Sequence, residues 1–447
     1  MPIRVAIIGS GPAGFYTAKA LLRACRTCEI DVIERLPTPY GLIRGGVAPD
    51  HQTTKRVAKK FEKTALVEEV NYYGNVEINR HVGLAELRDL YDAVVLAVGA
   101  PGDRKLTIPG ADKYGVFGSA AFVGWYNGHP DFRDLDPSLN SEVAVVVGNG
   151  NVALDCARIL LRTRQGMAGT DLPMHVQGAI AASPIVDVYI LGRRGPAEAS
   201  FTNVELRELS QLTKAEPRVR KDHLPDDSEA ALAAYVARER RVRERNLKTL
   251  AEFASLEPDT KPKRLHLEFF TSPVEVLGDE RVEGLRCERT QLIDGRAQGT
   301  GEFFEISCGL VISAIGYRTE LFAGAPYDEK RNIIPNDKGR VEPGLYAAGW
   351  IKRGPSGVIS SNRPDGEIVA CYIRDDIPVD GDPTKPGRVG LEKLLRERRH
   401  RWVTFGDWQR LDALEEAAAD YQAPRQKFVT VEEMLEALDS EEGSKQK

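Results

Sequence analysis

A chain of 447 residues is too long for one small core, and its length sets an expectation of about two to four domains. Its net charge of −5, with 42% hydrophobic and 28% charged residues, gives no general attraction to nucleic acid or to an anionic membrane. No apolar run reaches the ~18 residues that span a bilayer. The opening MPIRVAIIGSG already reads as a strand entering a turn rather than a signal peptide, so a cytoplasmic protein is expected.

The first element is a strand over Ile3–Ile8, which runs into Gly9-Ser-Gly11-Pro-Ala-Gly14 and a helical pattern. Gly9 permits a tight turn, Gly11 lets the backbone approach a pyrophosphate, and Gly14 lets the helix pack closely on the strand. The helix N-terminus then offers open N–H groups to phosphate. A second strand, Ile30–Ile33, ends in Glu34, 20 residues beyond Gly14, where a carboxylate binds unphosphorylated ribose hydroxyls. These features together predict a dinucleotide without a 2′-phosphate, either FAD or NAD. Between helix and strand, Cys25-Arg-Thr-Cys28 has a C-x-x-C spacing. A single such pair, at the end of the strand remote from the phosphate turn, reads as structural rather than redox. The remaining cysteines and the seven histidines are dispersed, which gives neither an iron–sulfur cluster nor a metal site.

Asp92–Gly99, DAVVLAVG, is a strand that would lead the chain out of the first domain. A second phosphate turn follows at Gly148-Asn-Gly150-Asn-Val-Ala153, preceded by the apolar run 144–147. Its matching strand, Val186–Leu191, is delayed by an inserted segment, 163–184, and ends in Gly192-Arg193-Arg194-Gly195. Two guanidiniums suit a ribose 2′-phosphate, which an acid would repel, so this turn is read as an NADP site. Two nicotinamides face to face have nothing to exchange, whereas NADPH can pass a hydride to FAD; the first turn is therefore assigned to FAD.

Further along, FTNVELREL (201–209) is helix-like, and a helical pattern from Ser228 carries the basic run Arg238-Glu-Arg240-Arg241-Val-Arg243-Glu-Arg245. That run is either a docking face for an acidic partner or a solvated helix with Glu–Arg pairs. Residues 216–230 and 254–264 read as charged loops. Leu310–Gly316 is another strand, and Gly344–Ile359 (GLYAAGWIKRGPSGVI) reads as a strand, a glycine-rich turn and a helix that return the chain to the first domain. Residues 376–390 look like a linker, and the final SEEGSKQK is expected to be disordered. The predicted fold is α/β, with two Rossmann-like domains and the NADP domain inserted into a discontinuous FAD domain. The expected boundaries are 1–102 and 328–380 for FAD, 103–327 for NADP, and 381–447 for a C-terminal extension.

At GSGPAGFYTA, PTPYGLIRGGVAPDH, YYGNVEI, VVVGNGNVALDCARILL, LGRRGP, FTNVELREL and AAGWIKRGPSGVI the chain resembles the adrenodoxin reductase family of NADPH-dependent ferredoxin reductases, which have a glutathione-reductase-like fold. The match runs through residues 5–360, and residues 388–437 resemble the extension of its bacterial branch. The resemblance implies FAD contacts from Gly9, Gly11, Ala13, Glu34, Leu42, Val82, Trp350, Gly357, Val358 and Ile359. It implies NADP contacts from Asn149, Gly150, Asn151, Val152, Arg193, Arg194 and Glu205, with Gly357 near the nicotinamide. It also implies hydride transfer from NADPH to FAD, followed by single-electron transfers to a ferredoxin. His51, which closes VAPDH, and Asp155, near the start of the second fingerprint helix, match a pair that the family places near the flavin. They are the candidates for a water-linked proton-balancing pair. Two positions depart from the family pattern: Gly45, where a bulkier residue is usual, and Gln52, where proline is usual. Two other readings remain open: an NADPH–quinone or dye reductase without a protein acceptor, and a flavin- or NADP-sensing binding protein.

Overall fold

A computed structural model describes residues 2–257, 259–377, 385–420 and 422–445, with side chains described as far as residue 440. The chain divides into two compact units, Met1–Gly102 with Asn127–Arg133 and Tyr317–Lys447, and Asp103–Tyr126 with Asp134–Gly316. The return to the first unit falls at Tyr317, whereas the sequence reading places it at 328. The reason is that Leu310–Ser313 is the last strand of the second unit's sheet, so the chain leaves soon after that strand ends. Residues 381–447 form no unit of their own.

The first unit is built on a six-stranded sheet in the order Arg340–Glu342, Leu345–Ala347, Ala93–Leu96, Ile3–Ile8, Cys28–Ile33, Val70–Tyr73. Every neighbouring pair is parallel except the edge pair Arg340–Glu342 with Leu345–Ala347. Its central strand, IRVAII, is apolar apart from Arg4 and almost wholly buried, as a parallel sheet covered on both faces requires. On one face the helices Pro12–Ala24 and Asn362–Asp376 meet so closely that a Cβ at Gly366 would lie 2.7 Å from the Thr17 nitrogen. The C-terminal segment adds Val403, Phe405, Trp408, Leu411, Met434 and Leu438 to this core, and Leu391 and Leu395 to the core on the other face.

The second unit carries a fully parallel sheet in the order Val116–Gly118, Leu310–Ser313, Val143–Val147, Asp187–Leu191, Lys263–Glu268, Ala215–Val219. The strand Ala215–Val219 lies in a stretch read from sequence as loop; Pro217 is tolerated because this is an edge strand. An antiparallel ribbon, Thr271–Leu277, Gly284–Ile293 and Arg296–Ser307, had no counterpart in the sequence reading. It packs Val276, Leu285, Cys287 and Ile306 against Val145, Leu191 and Val311. The helical pattern from Ser228 is two helices, Ser228–Leu232 and Ala237–Ala254.

The expected linker 376–390 is only partly described: Asn362–Asp376 ends as helix, 378–384 lie outside the described residues, and a helix resumes at Arg388. The C-terminal residues expected to be disordered are helical as far as Lys445, with 446 and 447 outside the described residues. Among the described residues no helix is long and apolar enough to cross a membrane.

Candidate functional site

Each sheet has a switch point, where successive connections leave in opposite directions from its central strand, and open α/β sheets bind ligands there. In the first unit that strand is Ile3–Ile8, flanked by Cys28–Ile33 and Ala93–Leu96. Gly9 has φ +105°, and a Cβ on it would lie 2.6 Å from the Ala97 carbonyl oxygen. A Cβ on Gly14 would lie 2.0 Å from the Gly9 oxygen, which is the close helix–strand approach assigned to the third glycine. The helix starts at Gly11 with no side chain capping its first N–H groups, and these are the donors a pyrophosphate takes. Glu34 accepts from the Ser10 N–H at 3.0 Å, the Ser10 hydroxyl at 2.7 Å and the Leu36 N–H at 3.3 Å. A carboxylate has about four acceptor positions, so it can still receive a ribose hydroxyl, and its charge disfavours a 2′-phosphate.

Three further segments reach this turn or the strand ends beside it. Tyr40 donates its N–H to the Ser10 carbonyl at 3.1 Å, and a Cβ on Gly41 would lie 3.1 Å from the Gly11 Cα; Leu42 follows directly and is 42% exposed. Val82 is buried in the cluster that holds Ile8 and Ile33. In the late turn, a Cβ on Gly349 would lie 2.6 Å from the Ala13 Cβ, which seats Trp350 by the start of the first helix. Trp350 donates its indole N–H to the Ser356 carbonyl at 3.0 Å. Gly357 has φ +84°, the N–H of the exposed Val358 is received by the Ser361 hydroxyl, and Ile359 opens a short 3₁₀ turn. Asp365 anchors this turn through Lys352 and Arg353.

Both departures from the family pattern have local explanations. A Cβ on Gly45 would lie 3.2 Å from the His129 ring, so the imidazole occupies the space a larger residue needs. Burial drives the His129 imidazole down to about 4. Gln52 donates its side-chain amide to the Pro49 carbonyl at 2.8 Å, which closes the loop that a proline would stiffen. His51 heads the short helix Gln52–Lys55, where its carbonyl accepts the Thr54 and Lys55 N–H groups. Cys25 and Cys28 are buried free thiols, and burial pushes Cys28 up to about 12, which leaves little thiolate for redox chemistry.

In the second unit the switch strand is Val143–Val147, between Asp187–Leu191 and Leu310–Ser313. Gly148 has φ +136°, and its Cβ would lie 2.2 Å from the Ala314 carbonyl oxygen. Helix Asn151–Leu161 starts at Gly150, again with no side-chain cap, and Val152 stands in its first turn. The Asn149 carbonyl accepts from the Ser200 N–H at 2.9 Å and hydroxyl at 3.0 Å, and the Asn151 side chain accepts from the Thr202 N–H at 2.7 Å. The two asparagines thus pin the segment that leads into helix Asn203–Glu208.

Arg193 and Arg194 are exposed at the end of Asp187–Leu191. Among the described residues neither guanidinium is engaged by a carboxylate; only their carbonyls are used, Arg193 accepting the Thr290 hydroxyl at 2.8 Å and Arg194 the Phe270 N–H at 3.2 Å. Glu205 has a buried carboxylate oxygen with no hydrogen-bond partner among the described residues, which is costly unless a ligand donor meets it. Asp155 pairs with the buried Arg158 at 2.8 Å, and Arg158 also reaches Glu208 at 3.1 Å. His51 and Asp155 belong to different units. Among the described residues no group of three or more His, Cys, Asp or Glu side chains could hold a metal ion.

The pyridine nucleotide-disulphide oxidoreductase family model matches residues 3–204. The mitochondrial NADPH:adrenodoxin oxidoreductase of Arabidopsis thaliana is 42% identical over 463 residues, covering 98% of this chain and 95% of that protein. NADPH-ferredoxin reductase FprA of Mycobacterium tuberculosis is 40% identical over 456 residues, covering 97% and 98%. The solved structure of Mycobacterium tuberculosis FprA in complex with NADPH superposes with a TM-score of 0.93 at 38% identity, covering 98% of this chain and 100% of that one. With near-complete coverage on both sides and the two cradles in place, the chain belongs to the adrenodoxin reductase family of NADPH-ferredoxin reductases.

Proposed function

We propose that the protein is an FAD-containing NADPH:ferredoxin oxidoreductase. One observation carries the reading: two uncapped phosphate turns of the same design end their second strands oppositely, one in Glu34 and the other in the exposed Arg193 and Arg194. When bound, FAD accepts a hydride and hands electrons on singly, chemistry that no side chain of this protein supplies.

The chain's own residues bind and orient. Gly9, Gly11 and Gly14 fit FAD's pyrophosphate, Ala13 and Trp350 stand beside it, and Glu34 meets its ribose. Gly150, Asn151 and Val152 would receive the pyrophosphate of NADPH, with Arg193 and Arg194 on its 2′-phosphate and Glu205 accepting from a ligand N–H or hydroxyl. Such remote clamps hold a reacting pair within about 3–3.5 Å without touching the hydride. His51 and Asp155 are proposed as the proton-balancing pair, His51 because its charge changes near neutral pH.

The basic helix Ala237–Ala254 is the proposed face for an acidic ferredoxin, carried by the exposed Arg238, Arg241 and Arg245. Arg240 is paired with Glu229 and Glu244, and Arg243 lies over the Tyr235 ring and donates to the Ala197 carbonyl. A cytoplasmic setting is proposed from the net charge and from six cysteines that are all free thiols.

The test is anaerobic addition of NADPH to the purified protein, then cytochrome c reduction with and without ferredoxin. The reading expects the flavin's visible band to bleach and cytochrome c reduction to depend on ferredoxin. A band that NADPH leaves intact would refute it, as would faster turnover with quinone than with any ferredoxin.

A further inference from the structure

The C-terminal extension ends far along the chain from the phosphate turn, yet one of its helices bears on the loop that covers that turn. Helix Phe405–Ala417 places Trp408, Leu411 and Glu415 at helical spacing on one face. Trp408 meets Tyr40 edge-on, with ring centroids 6.0 Å apart and planes at 85°. The Arg44 guanidinium lies 5.2 Å from the Trp408 ring centroid. Glu415, which has no exposed side-chain surface, receives both Arg44 nitrogens, at 2.8 and 2.5 Å, and also the Phe428 N–H at 3.0 Å. Lys427, buried, donates to the Asn127 carbonyl at 3.0 Å and the Arg44 carbonyl at 3.4 Å.

The loop so held is a strained one. Tyr40 has φ +82°, a left-handed conformation that a bulky residue adopts only when its surroundings impose it. The same residue is hydrogen-bonded to Ser10, and its neighbour Gly41 touches Gly11. A continuous path therefore runs from Glu415 and Trp408, through Arg44 and Tyr40, to the phosphate turn. The bidentate Arg44–Glu415 fork fixes direction as well as distance. Glu415 also meets Arg425 at 3.4 Å, whereas Arg44 has no other described carboxylate partner, so neutralising Glu415 leaves the largely buried Arg44 charge unmatched.

We infer that helix Phe405–Ala417 is a clamp on the FAD site: Glu415 and Trp408 are positioning residues that hold Tyr40–Gly46 in its strained form against the Ser10–Gly11 turn. The inference rests on the reading of that turn as the FAD site. It assigns the extension a role in retaining the resident cofactor, and it assigns Glu415 no contact with the cofactor.

The experiment compares the full-length wild type, Glu415→Gln and a control, Leu395→Ala, which opens a cavity in the extension's other contact with the core and leaves the Tyr40–Gly46 loop untouched. FAD release is followed by the recovery of free-flavin fluorescence, and hydrogen exchange is read at the Tyr40, Gly45 and Gly46 amides in both holo- and apoprotein. The expected result for E415Q is FAD release faster by about tenfold or more, since hydrogen bonds to a charged group are lost, together with lost protection at the three amides. L395A should lower the melting temperature yet keep wild-type release and protection. Arg44→Lys, which keeps the charge and loses the fork, should fall between wild type and E415Q, and it decides the matter if E415Q does not fold. Wild-type release and protection in E415Q, or in R44K where that variant decides, would overturn the clamp. Equal acceleration of release in L395A would also overturn it, by showing a general stability effect. A wild type that holds no FAD would instead overturn the reading of the cofactor site.

Discussion

The two cradles share the design of their phosphate turns and differ in what stands around them. Each has a buried parallel strand, a first glycine whose Cβ would strike a neighbouring carbonyl, and a helix whose first N–H groups no side chain caps. Phosphate binding is thus common to both. One difference lies at the end of the adjacent strand: Glu34 is already held by Ser10 and Leu36, while Arg193 and Arg194 stand exposed with no carboxylate partner among the described residues. On the proposed function, the strand-end charge, and not the glycine turn, distinguishes a ligand with a bare ribose from one with a 2′-phosphate. The cradles differ in cover as well. The first lies under a strained loop pinned by the C-terminal helices, as suits a ligand that stays. The second is edged by a segment that its own asparagines hold in place.

The largest effects are expected from the first glycine of each turn. Gly9→Val should yield a protein purified without FAD, because its Cβ would sit 2.6 Å from the Ala97 oxygen. Gly148→Val should keep FAD and lose reduction by NADPH. If both variants lose the same cofactor, the assignment of separate ligands fails. Next in size, replacing Arg193 and Arg194 together with alanine should raise KM for NADPH by about 100-fold with kcat little changed, because uniform binding is lost. Steady-state kinetics with NADPH and NADH checks this, and the preference for NADPH should shrink in parallel.

One pH effect falls in the cover of the first cradle. His129, against Gly45, is driven down to about 4 by burial from an ordinary 6.5. Between those values the unfolded chain binds more protons, so stability present above pH 6.5 is lost as pH falls through 4, by about 3 kcal/mol. His129→Asn should flatten this part of the stability–pH curve measured by urea unfolding, and FAD should be shed on acidification less readily than from wild type. The smallest effect is expected from Glu34→Gln, which should weaken FAD binding by about tenfold and leave the NADPH preference unchanged.

Much of this was legible in the sequence because the information is local. Both glycine turns, Glu34 and the arginine pair are read within βαβ units whose strand and helix periods are unambiguous, and the structure places each at its sheet's switch point. Pro217 hid an edge strand by its turn-forming chemistry. The ribbon 271–307 was missed because its strands bury only part of one face against the core. The pairing behind the clamp could not be read: Arg44 and Glu415 are 371 residues apart, and the motif PTPYGLIRGGVAPDH that contains Arg44 does not mark its partner. Long-range ion pairs leave no periodic trace, and a left-handed Tyr40 contradicts what the residue type predicts.

The most direct test of the central claim omits the flavin. Calorimetric titration of the protein with 2′,5′-ADP and with 5′-ADP measures what the Arg193–Arg194 end of the second cradle recognises. The account predicts that 2′,5′-ADP binds more tightly by about 100-fold, through charge-assisted bonds to its 2′-phosphate, and that the double alanine variant removes the difference. Equal affinities in the wild type would contradict it.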